Sequence, residues 1–238
     1  MFAGRTRRIS HGTANILLGI INSLAGRLVF GTALLVVTEW SRVHSFGLLH
    51  HLPYSTPTWV RISMGLVLID LWMYGWHRLN HNVPLLWRFH AVHHSDREMD
   101  ATSAVRFHTG EIFLSGSSRL LVLPVLGVTL PTLLIYELIL LPVILFHHSN
   151  VRVSKSSDSL MRTIVVTPWM HWVHHSRVMK EANSNYGSVL SVWDRLFGSF
   201  NLRSNPREIE LGLAEDASEK SWRTLRGMLI RPFRKWSN

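Results

Sequence analysis

The sequence predicts an all-α chain, a multi-pass membrane helical bundle of about four spans arranged as two hairpins with a helical cap on one side. Three observations predict it. Apolar runs long enough to cross a bilayer alternate with polar segments. Hydrophobic residues make up 47% of the 238 residues and charged residues 17%, with mean hydropathy +0.13, which is apolar for a soluble domain. Histidines recur at offsets of three and four, the spacing of one helix face, just beyond the ends of those runs.

The elements follow in order. Arg5, Arg7 and Arg8 precede the first apolar stretch, Ile16 to Val37, close to the roughly 20 residues that a span needs. A cleaved leader shares the basic start, but its apolar core is shorter and a small-residue cleavage site follows. Here Thr38-Glu39-Trp40 follows, so the stretch reads as a retained span. Arg27 near its middle must face protein or water, or snorkel. Residues 40–58 form a polar connection containing Pro53 and Pro57. Val60 to Trp76 is the second span, and its helix is expected to run on past the membrane to carry His77 and His81. Residues 78–110 are mostly polar. Ile112 to Phe146 as one helix would measure about 52 Å, too long for a hydrocarbon core of ~30 Å. Pro124, Gly127 and Pro131 divide it into two short spans. From Asn150 on the chain is polar and basic. Its tail, Ser221 to Trp236, sets Trp222, Leu225, Leu229 and Phe233 among arginines. It reads equally as an interfacial amphipathic helix broken at Pro232 or as a surface helix docked on the cap. Three regions result: 1–59 as arm, first span and loop, 60–200 as the main domain, and 201–238 as the basic tail.

With four crossings, the N-terminus, the 78–110 segment and the C-terminal region share one side. That side is Arg-rich, while the other offers only Arg42 and Arg61, so the shared side is expected to be cytoplasmic. The net charge of +10 fits loops beside anionic lipid better than nucleic acid, because the basic residues flank apolar runs instead of forming a stripe. Cysteine is absent, which excludes disulfides, thiolate metal sites and a catalytic thiol.

One histidine pattern occurs twice: His90-Ala-Val-His93-His94-Ser95 and His171-Trp-Val-His174-His175-Ser176. His77-Arg-Leu-Asn-His81 lies upstream of the first copy, and His147-His148-Ser-Asn150 lies between the two. With 15 histidines in the chain, an HxxHH match has an expected count of roughly 0.06, so the set is not accidental. Each triplet puts three imidazoles on one helix face. Imidazole is the commonest neutral metal ligand near pH 7. There are too many rings for one tetrahedral ion, so the pattern reads as a two-metal site within the cap. Any one histidine taken alone is better read as a surface or interfacial residue.

At these residues the chain resembles the fatty acid hydroxylase / sterol desaturase superfamily of integral membrane, non-haem di-iron oxygenases. The matching run is Asp70-Leu-Trp-Met-Tyr74-Gly-Trp-His77-Arg78-Leu-Asn-His81, then Leu86-Trp87-Arg88-Phe89-His90 through Ser95, then Arg106-Phe107-His108. It continues with His148-Ser149-Asn150, Thr167-Pro168 through Ser176, Asn185-Tyr186-Gly187 and Trp193-Asp194-Arg195-Leu196-Phe197-Gly198. Order and spacing are most similar to the sterol desaturase-like and alkylglycerol monooxygenase-like branch. Two positions depart from the pattern: Thr109 stands where the family has proline, and Asn183 where it often has an acidic residue.

The resemblance implies that His77, His81, His90, His93, His94, His171, His174 and His175 bind two iron ions, with His148 as a ninth ligand; zinc can replace iron in preparations. His147 points elsewhere on a helix and reads as structural. Asp70, His108, Glu111, Asn150, Asn185 and Tyr186 are candidates for hydrogen-bonding the ligands. His108 and Glu111 are also readable as metal ligands, and slightly better as a hydrogen-bonded interfacial pair. Asp70 sits about 10 Å along the axis from His77, so its expected partner is a group on another helix, Arg27 or a ligand histidine. Glu137 has the same ambiguity. Trp193, Asp194, Arg195 and Phe197 read as packing and a salt-linked cap. The resemblance further implies O2 as co-substrate, a membrane lipid as substrate, and electrons from a small redox protein or a reduced pterin. The setting would be the cytoplasmic face of a bacterial inner membrane or the endoplasmic reticulum, and the reaction hydroxylation or desaturation. The competing class is a non-enzymatic, His-rich membrane metal transporter or metal-binding protein, whose site should lie near the bilayer midplane on broken helices.

Overall fold

The computed structural model describes residues 5–205, 208–213 and 222–234. Among them the regular structure is helical, and pairing between extended segments is limited to two isolated bridges, Val165 with Leu190 and Ser176 with Leu211. Four long helices form the body: α1 Arg5–Val43, α2 Thr58–Asn82, α4 Thr109–Leu126 and α5 Leu130–His148. Between and after them lie α3 Pro84–His94, α6 Lys155–Met161, α7 Pro168–His174, α8 Met179–Ala182, α9 Val192–Leu196 and α10 Leu225–Ile230. Two stretches, Thr6–His51 and Leu130–His148, are long and apolar enough to cross a membrane by length and composition.

The expected break between the third and fourth apolar runs is present. Helix α4 ends at Leu126, Gly127 takes the left-handed conformation with φ 71°, and Pro131 opens α5 within its first turn. The 40–58 connection folds onto this turn. Gly47, at φ 111°, comes so close that a Cβ there would lie 2.2 Å from the Pro124 carbonyl oxygen, and the Ser41 hydroxyl donates to that same carbonyl. Only glycine fits such an approach.

Two features differ from the sequence reading. The stretch Ile16 to Val37 is the middle of a 39-residue helix, about 58 Å long at 1.5 Å per residue. Its first half is held by polar bonds to the segment between α3 and α4: Asn15 Nδ2 donates to the Thr102 hydroxyl and Asn22 Nδ2 to the Phe107 carbonyl. The helix thus extends well beyond the expected apolar stretch at its N-terminal end. Packing also runs crosswise and not within each expected hairpin. Helix α1 lies along α4 and α2 along α5. Small residues set both approaches, because a Cβ at Gly116 would meet the Phe30 ring at 2.5 Å and one at Gly65 would meet Thr132 at 2.7 Å. Arg27 is exposed on α1.

The main core joins Ile69 of α2, Leu123 of α4, Leu133, Tyr136 and Leu140 of α5, and Leu49 of the connection. A second cluster joins Leu18, Val92, Trp222 and Met228, so the tail is docked on α1 and α3. Of the stretch 221–236, Ser221, Lys235 and Trp236 lie outside the described residues. Buried Arg106 ties these parts together. Its guanidinium donates to the carbonyls of Val92 and Trp222, to Asn15 Oδ1 and to the Ser95 hydroxyl. Burial raises the neighbouring Asp96 carboxyl, but Arg106, His11 and Ser103 together bring it below the usual carboxylate range.

Candidate metal centre

Each histidine motif rides on a helix end. His77 and His81 are in the last two turns of α2, His90, His93 and His94 close α3, and His148 ends α5. His171 and His174 are in α7 and His175 caps its C-terminus. Proline at the first turn starts both triplet helices, Pro84 in α3 and Pro168 in α7, as its fixed φ favours.

The nine rings form two groups, within each of which the ligand nitrogens lie within 4.8 Å of one another. One contains His77, His81, His90, His94 and His174; the other contains His93, His148, His171 and His175. Helix geometry explains the division. Residues four apart lie 40° apart around the axis, so His77 with His81, His90 with His94 and His171 with His175 stay together. The residue at offset three turns 100° from the one that follows it, so His93 and His174 cross to the opposite group. Each triplet therefore serves both groups.

The donor set fits metal ions. In the five-histidine group every Nε2 is buried without a hydrogen-bond partner among the described residues. The opposite nitrogen is braced on four of the five rings. His77 Nδ1 faces the Tyr186 carbonyl at 2.9 Å, His174 Nδ1 the Ser184 carbonyl at 2.7 Å, His90 Nδ1 a Glu111 oxygen at 2.8 Å, and His81 Nδ1 Asn183 Oδ1 at 3.2 Å. Neutral imidazole carries one N–H and one lone pair. Bonding Nδ1–H to an acceptor therefore leaves the Nε2 lone pairs aimed at the shared space, the arrangement of bracing behind metal-bound imidazoles.

In the four-histidine group the Nε2 atoms crowd together, His93 to His148 at 3.2 Å, His148 to His171 at 2.9 Å and His171 to His175 at 3.0 Å. A ring nitrogen donates once or accepts once, so His148 and His171, each with two such neighbours, cannot be satisfied by one another. Adjacent ligands at right angles, each about 2.1 Å from an ion, sit about 3.0 Å apart, which matches these separations. Among the described residues Nδ1 of His93, His171 and His175 has no hydrogen-bond partner, so this group is less braced than the other.

Burial holds seven of these rings neutral. It sets His81, His93, His94, His171, His174 and His175 well below the usual histidine range, and His77 down to about 3, with neighbouring rings adding to the effect. Neutral imidazole is the form that binds a cation.

The other expected site residues sort as follows. Glu111 braces His90 and also accepts from Asn80 Nδ2 at 3.2 Å. His108 is not paired with it: Nδ1 accepts from the Gly110 amide at the start of α4, and Nε2 faces the Leu229 carbonyl of the docked tail. Tyr186 acts through its backbone carbonyl. Asn185, at φ 54°, is buried and binds the carbonyls of Met170 and Asn201 and the Asn201 amide, holding the loop that carries Tyr186. Asn150 is exposed just past α5, because α5 ends at His148 and the chain turns outward. Asp70 reaches neither Arg27 nor a ligand. It accepts from the Tyr136 hydroxyl, the Trp193 indole and the amides of Val189 and Leu190, since the 189–193 segment folds back over α2. Asp194 is hydrogen-bonded where a salt link was expected. It takes the amides of Tyr186 and Gly187 and the Ser199 hydroxyl, while Arg195 donates to the carbonyls of Ser191 and Arg162. His147 is buried with its ring 4.0 Å from that of His171 and lies in neither group. Sequence reasoning missed Asn183 as a brace, although its place was marked by the family's acidic preference. It missed the carbonyls of Ser184 and Tyr186, which no residue type reports.

A cavity of about 200 Å³ opens beside the histidines, where Met73, Trp76, Ile112, Leu140 and Ile144 of α2, α4 and α5 form an apolar wall facing the polar side chains of the cluster. His93 stacks on Phe107 at 4.4 Å at its edge.

Comparison with known proteins places the chain in a family. The family model described as fatty acid hydroxylase matches residues 62–199. An ornithine lipid hydroxylase of Rhizobium tropici is 34% identical over 164 residues, covering 69% of this chain and 49% of the relative. Human alkylglycerol monooxygenase is 30% identical, covering 64% and 33%. Human cholesterol 25-hydroxylase is 27% identical, covering 67% and 54%. The chain thus spans about half the length, or less, of these curated relatives. No solved structure matches.

Proposed function

The chain belongs to the fatty acid hydroxylase family, and from that premise we propose that it is a membrane-bound di-iron oxygenase that hydroxylates or desaturates a lipid C–H bond. The observation that carries this reading is the convergence of nine buried ring nitrogens, in two groups, beside an apolar cavity. The substrate is a fatty acyl, alkyl or sterol-type lipid. Its relatives' names speak of ornithine lipid, alkylglycerol and cholesterol, and the shared element is a long apolar body.

Iron held by these histidines supplies the activation of O2, which zinc, having no accessible redox change, does not. The chain's own residues do the rest. His77, His81, His90, His94 and His174 would hold one ion, and His93, His148, His171 and His175 the other. Glu111, Asn183 and the carbonyls of Ser184 and Tyr186 keep each braced ring in one tautomer and orientation. Phe107, Ile112, Leu140 and Ile144 exclude water and hold the chain of the substrate against the histidines. The protein is read as a multi-pass membrane protein with the histidine side cytoplasmic. There a small redox protein or a reduced pterin would deliver electrons.

Anaerobic purification followed by metal analysis tests the reading. About two irons per chain are expected, with a gain of oxygen or loss of two hydrogens in membrane lipids of cells that express the protein. His93→Ala and His174→Ala each take a ligand from a different group, so each should lose metal and product while still inserting. Wild-type metal content in both variants would remove the site. Because the chain has no cysteine, single reporters locate its faces. Ser55→Cys and Ser156→Cys, both exposed, should label from opposite sides of the membrane.

A further inference from the structure

Three helices build the cavity with side chains at helical spacing. On α4 the stripe runs Glu111, Ser115, Arg119; on α5 it runs back from His148 through Ile144 to Leu140; on α2 it ends at Met73. Each stripe starts at a histidine or its brace and leads into the apolar body of the bundle. Eight residues separate Glu111 from Arg119, roughly 12 Å along the axis. The groove therefore has two ends. One is the histidine cluster. The other is Arg119, whose Nη1 donates to Glu137 Oε1 at 2.6 Å and whose Nη2 faces Met73 Sδ at 3.5 Å. Glu137 is one turn before Leu140 on α5, inside a stretch apolar enough to span a membrane. A charged pair at that depth is costly and marks function more often than packing.

We propose that Arg119, paired with Glu137, is a specificity-determining residue that receives a hydroxyl group carried by the lipid roughly 12 Å from the reacting carbon. This rests on the lipid-oxygenase reading above. The chemistry selects the group. The pair is neutral as a unit, so an ionised group arriving there would leave a net charge in an apolar wall. A bare alkyl chain would leave the guanidinium facing hydrocarbon. A hydroxyl accepts from the guanidinium at Nη2 and brings no charge, so the Arg119–Glu137 pair behind it stays neutral. Met73, a weak acceptor, is readily displaced from Nη2.

The test is displacement of a fluorescent polyene fatty acid from the purified protein by octadecanoic acids whose hydroxyl is moved along the chain. Wild type should favour one hydroxyl position over unsubstituted octadecanoic acid by about tenfold or more, the effect of one charge-assisted hydrogen bond. Arg119→Met should flatten the series while keeping the wild-type iron content. The exchanged pair R119E/E137R controls for a purely structural bridge: it should restore thermal stability to near wild type but not the positional preference. A flat series in wild type, or an intact preference in Arg119→Met, overturns the inference. So does recovery of the preference in the exchanged pair. Binding is read without turnover, so anaerobically purified protein that carries no iron yet prefers one position sinks the di-iron reading alone, and iron-loaded protein with a flat series sinks this inference alone.

Discussion

Glu111 and Asn183 do the same task on two ligands with different strength. The Glu111 carboxylate is buried and takes His90 Nδ1 at 2.8 Å, a charge-assisted contact. Asn183 is exposed and takes His81 Nδ1 through a neutral amide oxygen at 3.2 Å. Removing the brace frees the ring to turn and to change tautomer. Glu111→Ala should lower iron affinity by about 10- to 100-fold, read by titrating iron out of the purified protein with a chelator. Asn183→Ala should fall at the low end of that range or below it. Asn183→Asp should hold iron more tightly than wild type, because an anion strengthens the same contact; weaker retention in that variant would remove Asn183 from the bracing set. The ligands were legible in the sequence because histidine spacing reports helix faces directly. Glu111 was legible as ligand or brace, without the choice. The carbonyls of Tyr186 and Ser184 were not, because every residue carries one and only the fold decides where it points.

At the scale of elements, the helix that holds His77 and His81 is pinned by one carboxylate. Asp70 accepts four hydrogen bonds, from α5 through Tyr136 and from the 189–193 segment through Val189, Leu190 and Trp193. That segment follows directly on Tyr186, whose carbonyl braces His77. Asp70→Ala leaves four buried donors without their acceptor at about 1–3 kcal/mol each before relaxation. A loss on the order of 3–5 kcal/mol is expected after partial rearrangement, read as a lowered unfolding midpoint in detergent. Iron retention should fall with it, since the Tyr186 loop loses its anchor. Asp70→Asn, which keeps one acceptor oxygen, should lie between. Unchanged stability in Asp70→Ala would show that the segment is held elsewhere. The helices themselves were legible from hydropathy, and the turn at Gly127 from its flanking prolines. The partners of Asp70 were not, because they come from 66 to 123 residues away. Nor was the crosswise packing of α1 on α4 and α2 on α5, which turns on single small residues such as Gly116 and Gly65.

The molecule as a whole is organised around a cost. Nine imidazoles are gathered in one buried space, and lone pairs turned toward one another offer no mutual stabilisation. In the unfolded chain such rings take up a proton near pH 6.5, whereas in the folded, metal-free protein burial holds His77 down to about 3 and the other cited rings well below their usual range. Between those values the unfolded state binds more protons than the native state, so stability falls as pH falls. The contribution is complete above about pH 6.5 and is lost progressively on the way down. Bound metal adds stability by mass action, and protons compete with it for the same nitrogens. Two outcomes are expected from melting curves of one preparation with and without chelator. Removing metal should lower the unfolding temperature at pH 7.5. The metal-free protein should then keep a level melting temperature down to about pH 6.5 and lose it steadily below. His77→Phe with His81→Phe removes two of the titrating groups from one site, and the acid slope of the metal-free variant should be shallower than that of wild type. A metal-free wild type whose melting temperature stays level to pH 4 would mean that the rings are solvated, and the buried cluster on which the metal reading stands would be absent.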